Sequence, residues 1–429
     1  MEKCIENKLV KSPESIFKNK NFIFIFIGRM VSDIGDVIYN LAVGWYILST
    51  TKSGLCMSIF MAVGTAVYIV MGPLGGVIAD KVNRKKLIVL MDMLRSIMVA
   101  FVAVLMFMHI TSIWLFYISA SLLSICGAFF VPAANAMLPK IVRQDQLAKA
   151  DSIASVSGSI SNLSGVALAG LLYASIGING IFIINSASFL VCGLFMMAVN
   201  VEKSQLPNNE SLKGTSLKSV LKEMKEGFLY LISKKSIFIM LCFFIASNFF
   251  LAPMFTVYIP YIFNIILKTS IKTYSAAQAC ITAGTFGGAL LMGILHQKEK
   301  NYKTLRNTMF IIGILILYMS VTFHLYTIGL ITETIFVVIL SIQMLIGGAA
   351  FTAMNIPFNV IVQKSIPDEF MGRVSSIVSI MPMIAMPVGM ITGGKIADVF
   401  PMKYTIAVLG ILYMITAVIF TKIKVLKEL

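Results

Sequence analysis

The chain alternates between long apolar stretches and short polar ones. The apolar runs lie near 22–49, 54–79, 87–109, 112–138, 152–174, 180–200, 237–263, 274–296, 308–327, 333–357, 374–398 and 402–421. About 20 apolar residues are needed for a helix to cross roughly 30 Å of hydrocarbon. The runs lack the strict alternation of a membrane-spanning strand, and backbone groups in lipid must bond within their own segment. The pattern therefore predicts an all-α membrane protein with twelve transmembrane helices.

One polar interruption is much longer than the others and divides the runs six and six. We therefore predict a cytoplasmic N-terminal segment at 1–20, a six-helix half at 21–200, a cytoplasmic linker at 201–236, a second six-helix half at 237–422 and a short tail at 423–429.

The two halves also resemble each other in sequence. A single constant offset in residue number pairs Asn135 with Asn359, Lys140 with Lys364, Lys149 with Arg373, Ser152 with Ser376, Gly165 with Gly389, and Gly170 with Gly394. Repeated six-helix halves are an architecture of secondary transporters, whose substrate binds between the repeats near the bilayer midplane. Small residues let membrane helices approach closely, so we expect the four repeated glycines to pack against neighbouring helices.

Composition supports the membrane assignment, and the position of the charges sets the orientation. Of 429 residues, 58% are hydrophobic and only 13% are charged, yet the formal net charge is +16. If the N-terminus is cytoplasmic, 28 of the 35 Lys and Arg residues lie in cytoplasmic segments. Five lie outside (Lys52, Lys268, Lys272, Lys395, Lys403), and Arg29 and Arg95 lie within helices. This bias places both termini in the cytoplasm of a multi-pass cell membrane protein, and it makes nucleic-acid binding an unnecessary explanation of the charge.

Several other functions lack support in the sequence. The six cysteines are scattered, and the three histidines are far apart, so we expect no metal site and no cofactor. We find no paired catalytic acids, no activated nucleophile and no Walker glycine loop, which argues against an enzyme and against ATP as the energy source.

Charged residues within the first helix are the main candidates for chemistry. A carboxylate at the bilayer centre costs roughly 2.5–3.5 kcal/mol on insertion scales, so it needs a partner, a cavity or a proton. Asp33 and Asp36 share a helix face, and Arg29 lies one turn before Asp33, where it can neutralise that acid. Asp36 is then the less compensated carboxylate and the candidate proton carrier. The alternative is a structural acid that hydrogen-bonds to a neighbouring helix.

Other polar residues in the spans have less specific roles. Asp92 and Arg95, three positions apart, are expected to form a structural pair near the cytoplasmic end of the third helix. Glu333 and Asp398 fall near outer helix ends, where we expect them to be solvated. The alternative is a gating role. Seven amides either line a substrate cavity or bond between helices: Asn40, Asn135, Asn162, Asn248, Gln278, Gln343 and Asn355.

The turn after the second helix carries the sharpest motif, at 75–86 (GGVIADKVNRKK). It resembles the major facilitator signature G-x-x-x-D-[RK]-x-G-R-[RK] through Gly76, Asp80, Lys81, Arg84 and Lys85. Asn83 stands where glycine is usual, and we explain it by the tolerance of Asn for left-handed backbone. The resemblance implies a conformational latch, in which Asp80 caps a helix of the other half and Arg84 holds a facing helix end, with Asp92 and Arg95 in support. The alternative is that this basic turn only fixes orientation.

A broader resemblance extends over the first half. The ranges 26–36, 92–95, 132–139, 147–150 and 185–190 are similar to the macrolide-efflux branch of the superfamily, and weaker likeness continues at 367–369 and 372–374. The resemblance implies a monomeric secondary transporter in the lipid bilayer, with a small-molecule substrate and a proton as partners. It would export hydrophobic or amphiphilic compounds by alternating access. An exporter or importer of an endogenous metabolite such as a siderophore would have the same motifs.

Two departures from the drug-antiporter pattern affect the predicted coupling. The fifth helix keeps the small residues from Gly165 to Gly170 but lacks the usual proline. The fourth helix also lacks the arginine that many proton-coupled drug antiporters carry there. The close-packing role of the glycines is unaffected by either change.

Overall fold

Helices account for nearly all of the structure, a computed structural model that describes residues 16–200, 217–294, 301–423 and 426. The helices are α1 Lys20–Thr51, α2 Gly54–Lys81, α3 Arg84–Phe107, α4 Ile113–Ile141, α5 Leu147–Ala198, α6 Leu217–Ser233, α7 Lys235–Ile266, α8 Ile271–Ile294, α9 Asn301–Thr327, α10 Glu333–Ser365, α11 Asp368–Val399 and α12 Met402–Lys422. Predictions for 1–15 and 201–216 lie outside the described residues. So do those for the side chains at 368, 369, 372 and 373.

The described helices supply twelve membrane spans, as predicted. Ten are long and apolar enough to cross a bilayer. One of these, α5, serves as two spans because its backbone leaves the helical region at Gly177, where φ is 67° and ψ is −174°. Glycine has no Cβ to clash in this left-handed region, so the chain reverses without a loop. The remaining span is α1, whose charged first half lowers its hydropathy.

Hydrogen-bonding side chains begin several helices. Asn19 accepts from the first amides of α1, Ser53 caps α2, and Thr332 caps α10. These side chains satisfy amides that have no partner within the helix. In α7 the regular pattern changes after Pro253, where π-type turns occupy Met254–Tyr258 and Ile262–Ile266. Proline removes one backbone donor, and π-turns are a known response to such interruptions.

The linker contains a helix that the sequence analysis did not predict. Residues Leu217–Ser233 form α6, which packs beside α11 and α2 and buries Leu231 completely. Apolar residues recur there with helical spacing among the lysines, so an amphipathic pattern was present. The high lysine content of the segment predicts only a polar linker, because it conceals this spacing.

The two halves repeat each other in their packing, which confirms the predicted pseudo-repeat. In the first half α1 packs on α5, α2 on α4, and α3 on α4 and α5. The equivalent pairs in the second half are α7 with α11, α8 with α10, and α9 with α10 and α12. The halves meet along two seams, α2 with α11 and α5 with α8. We call the side where α1 begins the basic side, and the side where α1 ends the opposite side.

Candidate functional site

A charged cavity of about 380 Å³ lies in the first half, closed on one edge by Met383 of α11. Its four charged residues are Arg29, Asp33 and Asp36 of α1 and Arg95 of α3. The uncharged lining includes Tyr39, Asn40, Phe60, Met61, Thr65, Tyr68, Leu123, Ser124, Phe130 and Phe189. We call it the central cavity.

The charged residues of α1 form a ladder along one face. Arg29 Nε lies 3.8 Å from Asp33 Oδ2, and Arg29 Nη1 donates to Asn135 Oδ1 of α4 at 3.2 Å. Asp36 is half-buried one turn further on and lines the cavity with them. Arg29 is therefore shared between Asp33 and an amide, whereas Asp36 lies one turn further along the same face.

Asp92 and Arg95 form a buried pair on α3, and Arg95 lines the central cavity. Their side chains are 0% and 6% exposed, with Arg95 Nη1 3.8 Å from Asp92 Oδ1. Neither carboxylate oxygen has a hydrogen-bond partner among the described residues. The guanidinium lies 4.8 Å from the ring centre of Phe130 and 5.3 Å from that of Phe189, within cation–π range. Arg95 lies midway along α3 and lines the cavity, so it is nearer the candidate proton site than we had placed it.

A second cavity adjoins the central one, and a third adjoins the second. A vestibule of about 590 Å³ extends from Phe22 near the basic end of α1 and shares Arg29 and Asp33 with the central cavity. A cleft of about 500 Å³ lies between the halves and shares Ser155 with the vestibule. Its second-half wall includes Phe255, Ile281 and Phe351. The charged lining groups of these three cavities all belong to the first half, whereas the second half contributes aromatic, aliphatic and hydroxyl groups.

The halves contact each other closely on the opposite side. Trp45 at the end of α1 stacks on Tyr274 of α8, with ring centres 5.3 Å apart. Asn264 Nδ2 donates to Trp45 O at 3.4 Å. Both contacts join the two halves, so they hold the halves together on the opposite side.

A carboxylate joins the α2–α11 seam at the same level. Asp398, near the end of α11, accepts from Gly54 N at 2.6 Å, from Leu55 N at 3.1 Å and from Ser53 Oγ at 2.6 Å. It therefore caps the first turn of a helix in the other half. Asp398 is exposed, as we expected, and its side chain is also bonded across the seam. The alternative of a gating role stays a prediction.

The four repeated glycines lie at close helix approaches. A Cβ at Gly165 would lie 2.7 Å from Val37 of α1, and one at Gly389 would collide with the Phe249 carbonyl of α7.

The other two repeated glycines lie at the seams between the halves. A Cβ at Gly170 would lie 2.6 Å from Ser275 Oγ. At Gly394 it would lie 2.7 Å from the carbonyl of Gly54 and nearer still to Ser58. The first pair thus packs within each half, and the second pair packs between halves.

The α2–α3 turn binds helix ends of its own half. Asp80 Oδ1 accepts from Arg84 Nη2 at 3.1 Å, and Arg84 Nη1 donates to Ala136 O of α4 at 3.2 Å. Lys85 Nζ donates to the carbonyls of Met197 and Val199, at 2.8 and 2.7 Å, where α5 ends. A Cβ at Gly76 would meet nothing within 4 Å. The cross-half contact of the latch remains a prediction.

Our explanation of Asn83 was wrong. Its φ of −63° and ψ of 107° are extended rather than left-handed, and its side chain accepts from Lys86 N at 3.1 Å. Asn83 is the N-cap of α3, a position for which Asn is among the preferred residues.

The seven polar candidates separate into several places. Asn40 lines the central cavity, Asn135 the vestibule, and Asn162 the cleft, where Thr282 Oγ1 lies 3.3 Å from its Oδ1. Asn248 and Asn355 line none of these three cavities and donate to carbonyls of the preceding turn, Phe244 O and Phe351 O, as Asn40 also does to Asp36 O. Gln278 and Gln343 each have buried atoms without a hydrogen-bond partner in the described part of the chain.

Comparison with known proteins agrees with this architecture. A family model described as Major Facilitator Superfamily matches residues 25–389. Macrolide efflux protein A of Streptococcus pyogenes is 25% identical over 413 residues, covering 95% of this chain and 97% of that protein. Multidrug efflux pump Tap of Mycolicibacterium fortuitum is 21% identical, covering 96% and 98%.

Solved structures show the same fold. The nucleoside transporter NupG aligns with a TM-score of 0.73 at 14% identity, covering 94% of this chain and 98% of that one. A bacterial homologue of the iron transporter ferroportin in an inward-facing state aligns with a TM-score of 0.71 at 14% identity, covering 95% and 99%. At these identities the likeness describes the fold alone.

Proposed function

Since the chain belongs to the major facilitator superfamily, we propose that this transporter exports hydrophobic or amphiphilic compounds by alternating access, driven by protons. It acts as a monomer in the cell membrane. Both termini and α6 lie in the cytoplasm, because the basic side carries most of the Lys and Arg residues. The basic side is then the inner side and the opposite side the outer one.

The central cavity and cleft support an amphiphilic substrate. Arg29, Asp36 and Arg95 offer charged contacts in the central cavity, and Phe255 and Phe351 offer aromatic contacts in the cleft, with the vestibule between these two cavities. A compound with a polar or charged end and a large apolar body can use both kinds of contact. The names of the efflux proteins that this chain resembles place macrolides among the compounds to test first.

Contacts on the outer side support alternating access. Asp398 and the Trp45–Tyr274 stack join the halves there, while the vestibule opens from Phe22 at the inner end of α1. In the alternative conformation the inner ends would approach. Asp80, now exposed and paired with Arg84, would then be available for the predicted latch.

Proton coupling through Asp36 rests on one observation: this half-buried carboxylate lines the central cavity among charged residues. A proton on Asp36 would remove a negative charge from the space that the substrate occupies. Protonation and substrate binding are then electrostatically coupled. The membrane potential contributes about 2.3 kcal/mol per charge per 100 mV, which can drive accumulation outside the cell.

A second candidate function is export or import of a polar endogenous metabolite. It is favoured by the polarity of the central cavity, where two arginines and two aspartates converge. A zwitterionic metabolite would bind such a set more readily than an uncharged hydrophobic drug would.

The test is accumulation of macrolides and cationic dyes in an efflux-deficient host, with and without a protonophore. We expect wild-type protein to lower accumulation, and we expect both the protonophore and Asp36→Asn to abolish that effect. Asp145→Asn is the matched control, because Asp145 lies in the exposed α4–α5 turn, paired with Arg143. Undiminished efflux by Asp36→Asn would remove Asp36 from the mechanism. No effect of wild-type protein on any compound would move the search to metabolites.

A further inference from the structure

The second half contains an apolar pocket of its own, separate from the central cavity. It lies between α7, α9 and α10 and has about 40 Å³ of open volume, enough for roughly two or three water-sized groups. Its lining consists of Leu251, Met254, Phe255, Ile259, Ile312, Leu315, Ile316, Met319, Leu340, Gln343, Met344, Gly347 and Phe351. We call it the side pocket.

A single amide interrupts this apolar lining. Gln343 is 7% exposed, and neither its Oε1 nor its Nε2 has a hydrogen-bond partner among the residues that the structure describes. A buried amide without partners is unfavourable, because it has lost its hydration without any replacement. In a membrane interior the surrounding lipid offers no hydrogen bond either. An unpaired polar group inside a span is therefore by default a candidate for function.

The side pocket is the repeat counterpart of the central cavity. Left-handed residues end the paired helices α3 and α9 at His109 and Gly329, and Ser112 and Thr332 then precede α4 and α10. Both pairs have the same separation along the chain. It is four residues smaller than the separation of Asn135 from Asn359 near the other ends of these helices, because α10 has 33 residues and α4 has 29. Counted from the ends at Ser112 and Thr332, it carries the α4 lining of the central cavity onto the α10 lining of the side pocket: Ala120 onto Leu340, Leu123 onto Gln343, Ser124 onto Met344, Gly127 onto Gly347 and Val131 onto Phe351.

The charges of the first site are replaced by apolar residues in the second. The same separation carries Arg95 onto Leu315. Lys52 and Lys268 are the left-handed residues that follow α1 and α7, and aligning these two helix ends carries Asp36 onto Ala252. The positions equivalent to Asp36 and Arg95 are thus apolar in the second half, and the amide of Gln343, in place of Leu123, is the polar side chain of the side pocket.

The side pocket adjoins the space between the halves. Phe255 and Phe351 line both the side pocket and the cleft, so their rings stand between the two. Met254 and Phe255 belong to a π-turn of α7, a feature that is frequent at functional sites. Gly347 contributes no side chain on the α10 wall, which leaves room beside the amide.

We propose that the side pocket is a second substrate subsite, which takes a small branched apolar group bearing one hydroxyl. A hydroxyl can donate to Oε1 and accept from Nε2, so one such group satisfies both ends of Gln343. The substrate is then an amphiphile whose polar end lies in the central cavity and whose hydroxylated apolar edge enters the side pocket. Macrolactones carry such methyl- and hydroxyl-bearing edges. This inference rests on the proposed export function.

The test compares Gln343→Met with wild-type protein, both in lipid nanodiscs. Methionine keeps the length and volume of glutamine but has no strong hydrogen-bonding group. Binding of a radiolabelled macrolide and thermal unfolding without ligand are measured on each. Gln363→Met is the matched control, because Gln363 is an exposed residue of the same helix that lines neither site.

We expect Gln343→Met to weaken macrolide binding about tenfold. Its unfolding temperature should be unchanged or higher, because an unpartnered amide has been removed. Unchanged affinity would overturn the proposal. So would a lower unfolding temperature, since that would show an amide satisfied within the resting protein by water or a neighbour. If wild-type protein binds no macrolide, the macrolide assignment fails, and the unfolding comparison still decides the role of Gln343.

Discussion

The bonds that Asp398 makes across the opposite side, which we propose is the outer one, predict its effect on the conformational equilibrium. They exist only while the ends of α2 and α11 are together, because the acceptor and the three donors belong to different halves. In the outward-open state the first amides of α2 would be bonded to water or to Ser53 alone. Removing the carboxylate therefore destabilises the outer-closed state relative to the open one.

The size of this effect follows from helix capping. Loss of an N-cap side chain costs about 0.5–2 kcal/mol, and the helix dipole contributes about 0.3–1 kcal/mol more for a charged cap. Asp398 is exposed, so we take about 1–2 kcal/mol for Asp398→Ala. That corresponds to a rise of roughly 5–30-fold in the ratio of outward-open to outer-closed protein. Asp398→Asn retains a good capping oxygen and should produce a smaller rise.

The outward-open population can be read from thiol labelling in intact cells. In a variant with the six native cysteines replaced, Thr65→Cys introduces a thiol in the central cavity. A membrane-impermeant maleimide reaches it from outside only when the outer side opens, so the labelling rate is proportional to the open population. We expect the rate to rise in the order wild type, Asp398→Asn, Asp398→Ala.

The control is another outer carboxylate. Glu333 begins α10, is exposed, and is replaced by alanine in the same background. It should leave the labelling rate unchanged. The reasoning is refuted if Asp398→Ala changes the rate by less than about twofold, or if Glu333→Ala raises it equally.

Two further predictions concern packing and buried charge. Gly394→Ala should also raise the rate of labelling from outside, because the added Cβ would collide with Ser58, and overpacking costs about 1–3 kcal/mol. The control is Gly287→Ala, which should leave the rate unchanged because a Cβ there would meet nothing within 4 Å. Arg95→Met should lower the free energy of unfolding in detergent by about 3–5 kcal/mol, because it leaves Asp92 buried and unpaired. Adding Asp92→Asn to this variant should restore most of the lost free energy of unfolding. A single variant as stable as wild type, or a double variant no better than the single, would show that the pair is not coupled.

The spans and their repeat could be predicted from sequence because lipid imposes a strong and local requirement. Each apolar run must be about 20 residues long and helical whatever its neighbours are. The helix α1 is too polar to be recognised by hydropathy alone. It could still be predicted, because only a few charged residues interrupt a run that is otherwise apolar. The close packing of Gly170 and Gly394 followed from the repeat, since small residues at equivalent positions mark equivalent contacts.

The lining of the cavities could not be predicted in the same way. Buried and lipid-facing sides of a membrane helix are similarly apolar, so sequence does not reveal which face turns inward. Asn40 and Asn248 are both amides within apolar runs, yet only Asn40 lines the central cavity. The bonds of Asp398 join residues that are far apart in the chain, and they depend on how the halves meet.

The two seams on the outer side are related by the repeat but are not equivalent in chemistry. Gly394 packs on the start of α2 and Gly170 on the start of α8, so both seams use the same close approach of helices. The offset that pairs these two glycines also pairs Asp398 with Ala174, which has no side chain to cap α8. The outer closure is therefore stabilised by packing on one seam and by packing plus a charge on the other. We infer that the α2–α11 seam is where a change of charge can open this side of the protein.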